Sequence, residues 1–250
     1  MNDDGRALPA PRGDWALFLD FDGTLAELAP TPDTVTLNPE LPEILLSLMD
    51  SLGGAVALIS GRTLGELDRM MGLALPGAGV HGLELRERQG LGPHLPDESA
   101  GIGTIAERLA PLVHDDPRLI LEVKPGALAL HYRRAPEREV ECRGAMNEAL
   151  AGTSGLALME GKMVLEVKPG HINKGRAIEK LMSLPPFLGR IPVFAGDDRT
   201  DEDGFRVVNA LKGVTIKIGD GETKAAHRLA SVEDFVAWLK RTASSLAGDG

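Results

Sequence analysis

Apolar residues along this chain come in short unbroken runs, and each run ends on polar or acidic residues. Trp15 to Leu19 (WALFL) leads straight into Asp20, Gly54 to Ile59 (GAVALI) into Ser60-Gly61-Arg62, and Ile191 to Ala195 (IPVFA) into Gly196-Asp197-Asp198. Continuous apolar runs fit strands buried on both faces, as in a parallel sheet, rather than surface strands that alternate. Between them the spacing predicts helices over 39–51, 63–70, 174–182 and 202–209, with further strands near 78–85 and over 213–218. Ser231-Val-Glu-Asp234 has the form of a capping box and opens a last helix through Trp238. This strand–helix rhythm predicts an α/β fold with a doubly wound parallel-sheet core.

The middle of the chain follows a different period. After a helix over 101–113, Leu119, Leu121 and Val123 alternate with Glu122 and Lys124. From Ala127 onward, Leu128, Leu130 and Tyr132 alternate with Ala129, His131 and Arg133. The parity switches across Pro125-Gly126, so a two-residue hairpin turn there pairs 124 with 127 and 122 with 129. A third strand over 162–168 sets Lys162, Val164, Glu166 and Lys168 against Met163, Leu165 and Val167. These strands predict a small antiparallel sheet backed by helix, with one apolar face and one charged face carrying small residues. The hexapeptide LEVKPG occurs at 121–126 and again at 165–170, and reads as two similar strand ends. The expected organisation is a loose tail over 1–13, a core over 14–98 and 171–250, and an inserted unit over 99–170.

Composition narrows the partners. The chain has 250 residues, 43% hydrophobic and 26% charged, with a formal net charge of -10. Such an acidic chain repels polyanions, so broad nucleic-acid binding is excluded and positive charge for an anionic ligand must be gathered locally. Cys142 is the single cysteine, which rules out an intrachain disulfide and a Cys-rich zinc site. The acidic start Met-Asn-Asp-Asp-Gly lacks the apolar stretch of a signal peptide, and no apolar run approaches the roughly 20 residues that span a bilayer. A cytoplasmic protein without a membrane partner is expected; the oligomeric state is not readable, and a monomer is compatible with the sequence.

The chemistry sits where the buried strands end, which is where open α/β sheets bind ligands. Asp20-Phe21-Asp22-Gly23-Thr24 puts two carboxylates two residues apart after a strand, a hard-oxygen site for Mg²⁺. Asp20 can attack phosphorus, Asp22 can exchange a proton with the leaving alcohol and then with water, and Gly23 allows close backbone approach to phosphate. Gly196-Asp197-Asp198-Arg199-Thr200-Asp201-Glu202-Asp203 crowds acidic groups that repel unless a cation compensates. Asp197 is the first choice for a metal ligand there, with Asp198 and Asp201 as outer or alternate ligands; the competing reading is an acidic helix start. Ser60, Gly61 and Arg62 can hold phosphate oxygens, although Ser60 alone would suit a helix cap. Lys174 can offset the charge of Asp20 and phosphate, and His81 lies in a Gly-rich stretch that could reach the same place.

These motifs, in this order, resemble the haloacid dehalogenase superfamily of phosphatases, whose pattern is DxDGT, a Ser/Thr after a strand, a Lys, and an acidic cluster after a strand. The resemblance implies a Rossmann-like core, a C2-type α/β cap as the insertion, and Mg²⁺-dependent ester hydrolysis through an aspartyl-phosphate on Asp20. It also implies that Asp22 meets Mg²⁺ through its backbone carbonyl and that Lys174 and Ser60 belong to the catalytic site. LEVKPGALALHYRRAP, GKMVLEVKPG, NKG and GDDRTDE resemble the trehalose-6-phosphate phosphatase family, over about residues 15 to 240. That family binds sugar with cap residues, which carries over here to Glu122, Lys124, Arg133, Lys162 and Glu166. Competing expectations are a phosphatase for another sugar phosphate, such as sucrose or mannosylglycerate phosphate, and a noncatalytic or regulatory phospho-acceptor module on the same fold.

Overall fold

A computed structural model describes residues 7–27, 35–95, 101–124, 126–161, 163–170 and 172–248. The first six residues of the expected tail, Pro125 of the hairpin turn and Lys162 lie outside the described residues. The first part of the chain forms β1 (Trp15–Leu19), α1 (Leu41–Ser51), β2 (Val56–Ile59), α2 (Leu64–Met71), β3 (Gly77–Gly79) and β4 (Glu84–Arg86). The middle forms α3 (Ile102–Asp115), β5 (Ile120–Lys124), β6 (Ala127–His131), α4 (Glu139–Leu150), β7 (Leu156–Gly161) and β8 (Val164–Pro169). The last part forms α5 (Lys174–Met182), β9 (Ile191–Gly196), α6 (Glu202–Ala210), β10 (Val214–Ile218), β11 (His227–Leu229) and α7 (Val232–Gly248). Two compact units result, one of residues up to His94 together with those from Asn173, the other Leu95–Ile172.

The first unit is built on a seven-stranded sheet in the order β11-β10-β9-β1-β2-β3-β4. Every pairing is parallel except β3 with β4. Central β1, β2 and most of β9 are buried on both faces, the physical reason their sequences run apolar without alternation. Helix α1 meets this core with Leu41, Ile44, Leu45 and Leu48, one stripe at i, i+3, i+4 and i+7. Helix α2 starts at a Thr63–Glu66 capping box and stops at Gly72, whose φ of 66° is left-handed. The order in which strands are laid down reverses at β1, with β2 on one side and β9 on the other, the kind of switch point at whose carboxyl ends open α/β sheets bind ligands.

The stretch expected as one strand near 78–85 is instead two antiparallel strands. A 3₁₀ turn over Val80–Gly82 separates them, with positive φ at Val80 (48°) and His81 (58°). For a β-branched residue that conformation is strained, and here it is held from outside: Val80 N–H donates to Arg62 O and His81 N–H to Ser60 O. The reversal straps the loop after β2 in place.

The second unit is an antiparallel sheet in the order β5-β6-β8-β7. Cα partners Lys124↔Ala127 and Glu122↔Ala129 have the register that the Pro125-Gly126 turn predicts. Leu128, Leu130, Leu165 and Val167 pack with α3 and α4 into a separate apolar cluster. Val123 departs from the expected apolar face: it is 56% exposed, near the end of the edge strand β5. Strand β6 ends at His131, so Arg133 sits in an exposed turn rather than on the strand. Helix α4 and strand β7 carry weak patterns. Only Cys142, Met146 and Ala149 of α4 are buried, and β7 is a half-exposed edge. Among the described residues no helix is long and apolar enough to cross a membrane.

Candidate active site

Asp20 follows the last residue of β1 and is 3% exposed. Its N–H donates to Ala195 O at 3.0 Å, which extends the pairing with β9 and fixes the backbone from which the carboxylate projects. Lys174 Nζ donates to Asp20 Oδ1 at 2.7 Å, and Thr24 Oγ1 donates to Oδ2 at 2.9 Å. The DFDGT segment is a tight turn in which Leu25 and Ala26 N–H both donate to Phe21 O. Gly23, at φ 79°, is required twice over: its backbone is left-handed, and a Cβ there would collide with the Asp197 carboxylate.

Asp201, fully buried at the N-terminus of α6, organises the acidic loop. Its Oδ1 accepts from Lys174 Nζ at 2.7 Å, and its Oδ2 accepts from the N–H groups of Asp197 and Asp198 at 3.1 and 3.0 Å. Gly196 makes room for it, since a Cβ there would strike the Asp201 carboxylate. Asp198 is turned away into capping: it is exposed and accepts from Arg199 N–H. Lys217 Nζ donates to the carbonyls of Asp197 and Ile218, and lines a ≈ 360 Å³ cavity with Gly23, Asp197, Asp220 and Ser231.

Carboxylate oxygens of Asp20, Asp197 and Asp201 lie within 4.8 Å of one another. Such a set of hard oxygens fits Mg²⁺. Asp201 already accepts three hydrogen bonds, which leaves Asp20 and Asp197 with more free lone pairs to offer a cation. Crowding shows in the acidities. Burial pushes the Asp20 carboxyl up to about 6, with Lys174 pulling it down and Asp197 pushing it further up. Asp201 rises to about 6 through burial and the charge of Asp20. Asp197 is raised by burial and by Asp201. Burial lowers the Lys174 ammonium, but Asp20 and Asp201 outweigh it and hold the group above its ordinary value.

Around the neighbouring loop, Arg62 forks onto Asp22, with Nε to Oδ2 and Nη2 to Oδ1 both at 2.7 Å. The Arg62 guanidinium also lies 5.8 Å from the Phe21 ring centroid. Ser60 is buried and its Oγ accepts Arg62 N–H at 3.1 Å, while Gly61 packs against the His81 ring. Asp22, Ser60 and Arg62 are thus brought together, and both Asp22 oxygens are engaged by the guanidinium.

In the second unit, Glu122 Oε2 meets His131 Nε2 at 3.1 Å and its Oε1 meets Lys124 Nζ at 3.3 Å. The bond to His131 holds the Glu122 carboxyl below its usual range. Glu166 is half-buried on the same face of the sheet, paired in register with Ala129 and Met159. Sequence reasoning missed the Thr24 hydroxyl on Asp20 and the buried ammonium of Lys217. The one available signal for Lys217 was a lysine interrupting the apolar run VTIKI.

The family described as trehalose-phosphatase matches residues 18–234. The chain is 43% identical over 235 residues to the trehalose-6-phosphate phosphatase of Escherichia coli (strain K12), covering 93% of this chain and 88% of that protein. It is 43% identical over 216 residues to a probable trehalose-phosphate phosphatase of Sinorhizobium fredii, covering 85% and 81%. Among solved structures, a trehalose-6-phosphate phosphatase related protein superposes with TM-score 0.70 at 25% identity, over 94% of this chain and 99% of that one. The Aspergillus fumigatus trehalose-6-phosphate phosphatase gives TM-score 0.70 at 29% identity, over 92% of both chains. The chain therefore belongs to the trehalose-phosphatase family and is an enzyme of that class, a phosphoric monoester hydrolase.

Proposed function

We propose that the chain hydrolyses trehalose 6-phosphate to trehalose and phosphate, with Mg²⁺, through a phosphoryl group carried transiently on Asp20. The observation that carries this is the Asp20 carboxylate at the carboxyl end of the central strand, with Lys174 at 2.7 Å and the Asp197 and Asp201 oxygens beside it. In this reading an Asp20 oxygen attacks phosphorus and the ester oxygen leaves with a proton from Asp22. Asp22 then takes a proton from water, which attacks phosphorus and frees Asp20. Arg62 holds both Asp22 oxygens in the resting arrangement, so the fork opens on one side before Asp22 can handle a proton. Ser60, Gly61, Gly23 and Lys174 hold the phosphoryl oxygens, and the two lysines Lys174 and Lys217 balance the acidic loop.

Asp20, Asp197 and the backbone carbonyl of Asp22 would hold Mg²⁺, with Asp201 positioning Asp197 through its N–H and Asp198 left as a cap. Bound there, Mg²⁺ would neutralise phosphate charge and polarise a phosphoryl oxygen. The sugar is read by Glu122, Lys124, Arg133, Lys162 and Glu166, carboxylates and cations suited to hydroxyls that both donate and accept.

The test is phosphate release from a panel of disaccharide and monosaccharide phosphates, with Mg²⁺ and with EDTA. Trehalose 6-phosphate is expected to lead the panel in kcat/KM, and EDTA to reduce its turnover at least about 100-fold, the scale of removing one charge-stabilising group. Faster release from sucrose or mannosylglycerate phosphate would reassign the substrate. A stable acyl phosphate without turnover would point to a phospho-acceptor module.

A further inference from the structure

The hexapeptide LEVKPG occurs at 121–126 and 165–170, and the fold gives the repeat a geometry. Strands β5 and β8 flank β6 and are both antiparallel to it, so the two copies run parallel to each other. The Cα register aligns them across the sheet. Glu122 pairs with Ala129, Ala129 with Glu166, and Glu166 with Met159. Next along, Lys124 pairs with Ala127, and Lys168 with Ala157. Ala127 follows in register from Leu128↔Val167 and so stands opposite Lys168. One face of the sheet therefore carries a row of two carboxylates and a row of two ammonium groups, each straddling an alanine. Strands lie about 4.8 Å apart, so the arms stand about 10 Å from each other with a low floor of Ala127 and Ala129 between them.

The far arm is the less satisfied one. On β5, Glu122 is already joined to Lys124 and His131. On β8, Leu165 and Val167 are fully buried, which turns half-buried Glu166 and Lys168 onto the opposite face. Among the described residues, neither Glu166 nor Lys168 has an ion-pair or hydrogen-bond partner. An ammonium beside short alanines, with no carboxylate partner among the described residues, has donors to give to a ligand on this face.

We infer that Lys168 is a further specificity-determining residue, the β8 counterpart of Lys124, which donates to hydroxyl oxygens of the sugar of the phosphate ester. This rests on the proposed function, in which the same face reads the sugar. A sugar lying across Ala127 and Ala129 would meet a donor and an acceptor from each copy of the repeat.

The experiment compares trehalose 6-phosphate with p-nitrophenyl phosphate, an ester without a sugar, for the parent protein, Lys168→Gln, Lys168→Arg and Glu166→Ala. Losing a hydrogen bond from a charged donor lowers kcat/KM for trehalose 6-phosphate relative to p-nitrophenyl phosphate about tenfold or more in Lys168→Gln. The loss is carried mainly by KM, Lys168→Arg recovers part of it, and Tm stays at the parent value because the site is a half-buried sheet face. An unchanged ratio in Lys168→Gln, with the ratio still lowered in Glu166→Ala, overturns the role of Lys168 and leaves the proposed function standing. Equal losses on both substrates overturn it too, since Lys168 would then act on the phosphate or on the fold. If the parent protein does not prefer trehalose 6-phosphate at all, the proposed function fails and this inference falls with it.

Discussion

Asp20→Asn releases no phosphate above background, a loss of at least about 10⁴-fold, while the protein stays folded and its Tm in EDTA does not fall. The activity half follows from what Asn lacks, an anionic oxygen able to bond phosphorus. The stability half follows from the packing. Asp20 shares a small buried volume with the carboxylates of Asp197 and Asp201, and burial, with their mutual repulsion added, raises all three. The amide oxygen can still accept from Lys174, and the amide NH2, standing where Oδ2 was, can donate to Thr24 Oγ1 once that hydroxyl turns, so both contacts survive as hydrogen bonds while one repelling charge disappears. Paired measurements of phosphate release and thermal unfolding check it. Retained turnover would remove Asp20 from the nucleophile's role. A steep fall in Tm would mean that the charge itself holds the loop.

The outcome also locates what sequence patterns could convey. Unbroken apolar runs marked β1, β2 and β9 because strands buried on both faces need no polar alternation, and the residues just after those runs are the ones the fold brings to one edge. Asp20 and Asp197 could be named for that reason, Asp201 from the acidic cluster that follows β9, and Lys174 from its place at a helix start as a cation to offset Asp20. The pairing of residues 122 and 129 was legible because a two-residue turn couples parity to register. Other features depend on partners far along the chain and leave no local trace. The antiparallel return of β4 depends on strained φ values at Val80 and His81, stabilised by bonds to the loop after β2. The Arg62 fork joins residues 40 apart and cannot be told from a phosphate-binding arginine by type alone. Arg133 continued the alternation of β6 by letter, but the backbone had already turned. Lys217 read as an ordinary strand lysine, and only the position of the Asp197 carbonyl gives its ammonium a function.

Lys174→Met should be the most destabilising substitution in the site, and its cost should depend on pH. The ammonium, 3% exposed, bridges Asp20 and Asp201 at 2.7 Å each. Removing one partner of a buried ion pair strands the others, at about 3–5 kcal/mol, or about 6–20 °C in Tm for a chain of this size. The sign with pH follows from the raised carboxyl groups. In the parent protein Asp20 and Asp201 are raised from 3.8 to about 6, so the folded state favours their neutral forms. The stability they lend is complete below 3.8 and is lost as pH rises through about 6. Without Lys174 the attraction that holds them down is gone, and that window moves to higher pH. Thermal unfolding in EDTA should therefore show a large deficit at about pH 8 that shrinks toward pH 5. Adding Asp201→Asn to Lys174→Met should restore part of the loss at pH 8, because one of the two stranded charges is removed. A deficit of the same size at both pH values, untouched by the second substitution, would make Lys174 a packing residue rather than the charge that lets three carboxylates share one strand edge.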